Sequence, residues 1–357
     1  MEEIHNHKCP GCASPLRFDS ESQKLVCDAC GASFDVDTVS QYDAEAGGIE
    51  NGDSATWSQY EGQSWEDESV NVSVCPSCGA EIVTDATTAV TKCPYCDNVT
   101  VLSGRLSGAY RPDCVIPFRI SPEEARECIN EYCRKKPLLP RGFINELHLE
   151  ESQGLYVPFW LFDCAADGRA TFIGTKVRHW SDRNYNYTET SKFRIFRRGG
   201  MSFAKIPVDG SQKADDTLME SLEPYDYNDM TDFGTGYLSG FIADKYDVDA
   251  EASKPRANAR VKRSVEAALM TTVIGYSSVI PTSSSVKITD GKVHYAMLPV
   301  WLLNYNYHGT RYTYAINGQT GKMVGKLPIS WGRAAAWFGG IYAAAAAVLA
   351  ALLFLVR

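Results

Sequence analysis

Cys75-Pro-Ser-Cys78-Gly79 and Cys93-Pro-Tyr-Cys96 enclose fourteen residues. The same arrangement stands 66 positions earlier as Cys9-Pro-Gly-Cys12 and Cys27-Asp-Ala-Cys30-Gly31, again with fourteen residues between the pairs. A Cys-x-x-Cys turn aims two thiolates at one ion, and two turns at this separation are the ligand set of a four-cysteine zinc ribbon. Four pairs in register predict two such ribbons, with Cys9, Cys12, Cys27 and Cys30 on one ion and Cys75, Cys78, Cys93 and Cys96 on the other. Zinc is the expected metal, and iron in a rubredoxin-like site is the alternative. Cysteine fills every coordination position and leaves none for water or substrate. The ion is therefore expected to be structural, closing units of ~25 residues that are too small to bury a core. Gly31 and Gly79 allow the tight backbone that brings amides onto the sulfurs, whereas Ala13 and Asp97 hold the corresponding places in the other turns. Leu16 to Phe18 with Lys24 to Val26, and Ile82 to Val83 with Ala89 to Val90, are expected as short hairpins between the turns.

A disulfide framework would require an oxidising compartment. The segment Met1 to Pro10 is polar, with no apolar stretch of the kind that directs secretion, so the cysteines are expected to stay reduced in the cytosol. The far end of the chain is different. Ala334 to Val356 carries no charge over 23 residues and is followed only by Arg357. At ~1.5 Å per residue that helix crosses a hydrocarbon layer of ~30 Å. A core helix apolar on every face would need protein on all sides, and little chain remains to supply it. Trp331, Trp337 and Tyr342 mark its interfacial end, and Lys322, Lys326 and Arg333 precede it. That charge bias predicts a single-pass tail anchor in the cell membrane, with the body in the cytosol.

The 357 residues have a formal net charge of −9, unevenly spread. Leu25 to Thr91 contains thirteen Asp and Glu and no Lys or Arg. Binding to nucleic acid needs phosphate neutralisation, so these ribbons point instead to protein recognition. Residues 37 to 72 read as an acidic, glycine-containing linker interrupted by Trp57, Tyr60 and Trp65. Those aromatics are expected either to dock on a ribbon or to form a short partner-binding motif. The domain plan is ribbon 1–36, linker 37–72, ribbon 73–104, body 105–330 and membrane helix 334–356.

Within the body, Val115 to Ile120 reads as an extended strand. Ser121-Pro-Glu-Glu124 then opens a helix with a capping box, and the helix should end before Pro137. Cys114, Cys128, Cys133 and Cys164 are expected as packed thiols. Tyr156-Val-Pro-Phe-Trp-Leu-Phe-Asp163 and Met297-Leu-Pro-Val-Trp-Leu-Leu-Asn304 align Pro158 with Pro299 and Trp160 with Trp301 at an offset of 141, which suggests a second, larger duplication. β-Rich sequence follows each copy, including a hairpin around Asn317 to Gly321. Helical signals lie near Asp215 to Leu222 and from Asp247 to about Thr272, the latter interrupted by Pro255. The predicted class is α+β: two zinc ribbons, a β-rich body with antiparallel sheets, internal duplication and a few helices, and a terminal membrane helix.

Gly168 to Lys205 holds nine Lys and Arg against Asp182 and Glu189, interleaved with aromatics. Such a stretch suits a solvated sheet face, single-stranded nucleic acid, anionic lipid or the acidic ribbon region. There is no phosphate-binding Gly-x-x-x-x-Gly-Lys-Ser/Thr loop and no Gly-x-Ser-x-Gly elbow, and the six histidines are scattered. A non-enzymatic role is expected.

The doubled ribbons occur together with Ile116-Pro-Phe-Arg-Ile120, Ile206-Pro-Val-Asp-Gly210, Glu223-Pro-Tyr-Asp-Tyr227, Tyr237-Leu-Ser-Gly-Phe241, Leu298-Pro-Val-Trp301 and Asn317-Gly-Gln-Thr-Gly-Lys322. With the terminal span, this set resembles bacterial TFIIB-type zinc-ribbon membrane proteins, which are also labelled primosomal helicase PriA-like. The resemblance covers nearly the whole chain. It implies an adaptor in membrane or envelope stress that recruits an SPFH-type, virion-core-like protein and, through it, a PspA-type phage shock protein. It carries the eight cysteine ligands over and supplies no catalytic residue. The helicase label does not fit a chain without a nucleotide loop and with acidic ribbons. The alternative is a membrane-tethered nucleic-acid-binding protein linked to replication, acting through the basic stretch.

Overall fold

The structure is a computed structural model that describes residues 9, 15–20, 22–29, 31–39, 52–65, 70–85, 90–96, 98–101, 104–105, 109–140, 143, 153–307 and 310–355. It is mixed α+β, rich in strands and with few helices. Along the chain come β1 (Arg17–Asp19), β2 (Lys24–Val26), β3 (Ser33–Phe34), β4 (Ser54–Trp57), β5 (Ser64–Trp65), β6 (Val70–Val74), β7 (Glu81–Asp85), β8 (Val90–Lys92), β9 (Val99–Val101), β10 (Gly104–Arg105), β11 (Ala109–Tyr110) and β12 (Cys114–Val115). Then follow α1 (Pro122–Arg134), β13 (Gln153–Ser181), β14 (Asn186–Asp209), α2 (Asp216–Ser221), β15 (Thr231–Asp232), β16 (Ile242–Asp244), α3 (Ala250–Thr271), β17 (Ser278–Tyr307), β18 (Thr310–Asn317), β19 (Met323–Gly325) and α4 (Trp331–Leu355).

The chain divides into two compact units, one of residues 1–59, 162–206 and 254–293, the other of 60–161, 207–253 and 294–357. In the first unit, β1 to β3 form a three-stranded antiparallel sheet with Arg17 opposite Val26 and Leu25 opposite Phe34. The hairpin expected between the first and second cysteine pairs is therefore present. The core of this unit lies under α3, whose Val261, Val265 and Leu269 recur every fourth residue and pack on Phe172, Ile195, Val286 and Ile288. That stripe explains why α3 runs unbroken through Pro255, where an interruption was expected. One forgone backbone bond costs ~3 kcal/mol, and burying several apolar side chains at ~1.5–3 kcal/mol each exceeds it. Trp57 meets Phe162 edge-on at 5.1 Å and donates to Asn258 Oδ1 at 2.8 Å.

In the second unit, α1 begins as its sequence dictates. Ser121 Oγ accepts from Glu124 N at 3.2 Å, and Glu124 Oε2 accepts from Ser121 N at 2.8 Å, with Pro122 in the first turn. Ala125, Ile129 and Cys133 share its buried face, against Trp301, Leu303 and Tyr314. The stretch read as an acidic linker also contributes here. Tyr60 packs edge-on against Trp160 at 5.0 Å, and Trp65 against Phe233 at 5.3 Å. With Trp57 on Phe162, all three aromatics dock on body residues, where large rings find burial.

The two segments at offset 141 make matching contacts in this unit. Cys114 and Val115 pair in parallel with Ala296 and Met297, while Ile242 and Ala243 pair in parallel with Leu155 and Tyr156. Gly318 N donates to Pro299 O at 2.9 Å, and Gly318 O accepts from Arg119 N and Ile120 N; Gly210 N donates to Pro158 O at 2.8 Å, and Gly210 O accepts from Asp247 N and Val248 N. Trp301 Nε1 donates to Ile120 O at 3.1 Å, and Trp160 Nε1 to Val248 O at 2.8 Å. Even the ring geometry repeats, with Phe118 on Trp301 at 5.2 Å and 64° and Tyr246 on Trp160 at 5.3 Å and 65°. An all-antiparallel sheet was expected; the short strands β12 and β16 are parallel to β17 and β13 because each pairs with the long strand of the other segment.

Helix α4 is 25 residues long, ~37 Å. Its Trp331–Leu352 stretch is long and apolar enough to cross a membrane, and none of it is buried within the protein. Ser330 N donates to Leu138 O at 2.9 Å and the Arg333 guanidinium to Leu139 O, so the helix entry is fixed to the loop after α1.

Candidate metal centre

The second cysteine set forms one cluster. The Sγ atoms of Cys75, Cys78, Cys93 and Cys96 all lie within 4.8 Å of one another, with Cys75 to Cys96 at 3.5 Å and Cys78 to Cys93 at 3.6 Å. A tetrahedral ion with metal–sulfur bonds near 2.3 Å requires sulfurs about 3.8 Å apart, so these four cysteines could bind a metal such as zinc. Cys75 and Cys93 are buried and Cys78 and Cys96 half-buried.

Two backbone turns build the cluster. Gly79 N donates to Cys75 O at 2.8 Å and Cys75 N to Ala80 O at 2.8 Å, with Gly79 at φ +74°, a conformation suited to glycine. In the second turn, Cys93 N donates to Asn98 O at 2.8 Å. Burial raises the Cys78 and Cys93 thiols, opposed by the backbone amides of Ala80 at Cys78 and of Tyr95 and Cys96 at Cys93. A divalent cation held by these four cysteines would reverse this burial effect and keep the sulfurs as thiolates.

In the first set, Cys9 and Cys27 are fully buried. The Cys27 turn repeats the Cys75 turn, with Gly31 N to Cys27 O and Cys27 N to Ala32 O both at 2.9 Å and Gly31 at φ +72°. Cys12 and Cys30 lie outside the described residues, as do His5 and His7. The remaining cysteines are packed thiols as expected: Cys114, Cys133 and Cys164 are buried in three separate cores, and Cys128 is half-buried beside one of them.

The expected hairpin between the two turns of the second set is not formed by β7. That strand pairs with β6 on one side and with β16 on the other, Val83 opposite Ala243 and Ile82 opposite Asp244, so both its edges are taken. β8 pairs with β9 across the Cys93 turn. The cluster consequently sits on the body: Cys75, Ala80, Ile82 and Cys93 share one core with Leu155, Phe159, Ile242 and Leu302.

Residues outside the cysteine pattern lock this seat. Tyr95, between Cys93 and Cys96, donates its hydroxyl to Asp244 Oδ2 at 2.5 Å, and Ser211 Oγ donates to the same oxygen at 2.6 Å. Asp244 is buried, which pushes its carboxyl up to about 7 despite those two bonds. Asn304 Nδ2 donates to Pro94 O at 2.8 Å and Arg311 to Tyr95 O. Sequence reasoning missed Tyr95 and Asp244; the available signals were an aromatic inside the Cys93 turn and an aspartate ending the apolar strand Ile242–Asp244. Beside the turn opens a groove of about 620 Å³ lined by Pro94, Tyr95, Leu218, Leu302 and Val324, with Lys213 and Lys326 exposed at its rim.

The chain is 37% identical over 338 residues, 95% of its length and 94% of the relative's, to the uncharacterized protein YdjG of Bacillus subtilis (strain 168). No family model matches the chain, and no solved structure does.

Proposed function

The chain belongs to the same family as Bacillus subtilis YdjG, and on that footing we propose that it is a membrane-anchored, metal-stabilised adaptor that recruits cytosolic proteins to the bilayer. The observation that carries this reading is the four-sulfur cluster seated on the body core beside an open groove, in a chain that ends in an exposed apolar helix. All four cluster ligands come from cysteine, a set that stabilises a fold and leaves no position for a reacting molecule.

In this reading two zinc ribbons are closed by Cys9, Cys12, Cys27 and Cys30 and by Cys75, Cys78, Cys93 and Cys96. The span is a single-pass tail anchor in the cell membrane with the body in the cytosol, as the charges of Lys322, Lys326 and Arg333 favour. The matched hydrogen bonds around Gly210 and Gly318 support an internal duplication whose copies have exchanged their first strands. No catalytic residue is assigned. The partners are the SPFH-type, virion-core-like and PspA-type proteins of a membrane or envelope stress response, an assignment that rests on the sequence resemblance.

The test is affinity purification of the full-length protein from nuclease-treated, detergent-solubilised membranes, with mass spectrometry of what co-purifies. SPFH-type or PspA-type proteins, recovered with the wild type and lost with Cys75→Ser/Cys78→Ser, are the expected result. Recovery of replication proteins would favour the nucleic-acid reading instead.

A further inference from the structure

The long strands β13 and β14 continue past their last neighbour as a two-stranded ribbon. Ser277 N donates to Thr175 O at 2.7 Å, and Val177 N donates to Ser277 Oγ at 3.3 Å. Residues 178–181 and 186–190 are all exposed, as is the connecting turn. The turn fixes the register. Asp182 N donates to Tyr185 O at 3.0 Å, and Asp182 Oδ1 accepts from Asn184 N and Tyr185 N, both at 2.8 Å. His179 Nδ1 lies 2.9 Å from Thr188 Oγ1, so His179 faces Thr188 and Trp180 faces Tyr187 across the ribbon.

Alternation then sorts the side chains. Lys176, Arg178 and Trp180 fall on one face with Tyr185, Tyr187 and Phe193 from the opposite strand. The contacts agree. Trp180 stacks on Tyr187 at 5.4 Å and 12°, the Arg178 guanidinium lies 5.5 Å from the Trp180 ring, and Lys176 Nζ is 5.4 Å from the Phe193 ring. Trp180 and Tyr185 are 45% and 66% exposed, which leaves a large aromatic surface in water. Residues 176–194 carry five basic side chains against two acids, in a chain whose net charge is −9. One acid, Asp182, is engaged by the turn and by the Tyr187 hydroxyl at 3.0 Å.

Aromatic rings with a polar edge, set beside Lys and Arg, are the side chains that settle at the headgroup level of a bilayer, and anionic lipid adds electrostatic attraction. From this we infer that the tip of the β13–β14 hairpin is a second membrane contact, laying Trp180, Tyr185 and Tyr187 against an anionic lipid surface while Lys176, Arg178 and Arg183 meet the headgroups. The basic residues suit either polyanion, and the apolar helix of the same chain decides for lipid over nucleic acid, since an anchored protein keeps its exposed surfaces at high effective concentration near headgroups. The inference rests on the membrane-anchored reading.

The test uses full-length protein in nanodiscs of phosphatidylcholine alone or phosphatidylcholine mixed with phosphatidylglycerol, followed by hydrogen–deuterium exchange of residues 176–194. Slower exchange at the tip on the anionic discs is expected, reversed by high salt and by Trp180→Ser/Tyr187→Ser. Each of Lys176→Gln and Arg178→Gln should weaken the effect about fivefold. Equal exchange on both lipids, with the protein still held in the discs, would overturn the hairpin contact and leave the anchor intact. Failure to enter the discs would overturn the anchor and the contact together. Stronger protection by an added single-stranded oligonucleotide than by anionic lipid would reassign the surface to nucleic acid.

Discussion

Asp244 is where the cysteine cluster meets the body, because its carboxylate receives the hydroxyl of Tyr95 from within the Cys93 turn. Its carboxyl is raised by burial to about 7, against the ordinary value of 3.8. The folded protein therefore keeps a proton that the unfolded chain releases above about pH 4. It follows that Asp244's contribution to stability is full below about pH 4 and declines as pH rises through about 7, by on the order of 4 kcal/mol in total. Thermal melts of wild type and Asp244→Asn between about pH 5 and 8 check this. The wild type should lose stability across that range, and the variant should show a flatter dependence. None of this was readable in advance. The cysteine pairs announce themselves by spacing, which is a local property of the chain. The Tyr95 to Asp244 bond joins residues 149 apart, and only the tertiary fold brings them together.

At the scale of elements, the two sets of contacts around Gly210 and Gly318 differ in tightness. A Cβ at Gly318 would lie 2.6 Å from the Phe118 ring and 2.8 Å from Pro299 Cβ, whereas one at Gly210 would lie 3.1 Å from Trp160 Nε1 and 3.3 Å from Tyr246 Cβ. Gly318→Ala is expected to cost ~1–3 kcal/mol through overpacking, and Gly210→Ala clearly less, both measured as shifts of the thermal midpoint. The capping box of α1, the stop before Pro137 and the β18–β19 hairpin were legible, since each depends on residues a few positions apart. The parallel pairing of β12 and β16 was not, because its partners stand 182 and 87 positions away and strand direction leaves no mark on a two-residue strand. Helix α4 was legible from composition alone. Removing residues 331–357 should move the protein from the carbonate-resistant membrane fraction to the soluble fraction; a truncated chain still in the membrane would mean that another segment anchors it.

Across the whole molecule, the α+β class and the terminal apolar helix were legible because both are written in composition and periodicity. The seating of the second cysteine set on the body was hidden, because β7 looks from sequence like half of a local hairpin while its second edge is claimed by β16. That seating makes the cysteine cluster part of the body's core, so its loss should disturb the groove beside it as well as the turns themselves. Recruitment of partners in the manner proposed depends on a metal closing the cluster. The direct measurement is the metal content of full-length protein purified without added metal, by inductively coupled plasma mass spectrometry, on wild type and on Cys75→Ser/Cys78→Ser. Two zinc per chain in the wild type and one in the variant are predicted. A wild type without zinc, or a variant with unchanged zinc, would contradict it.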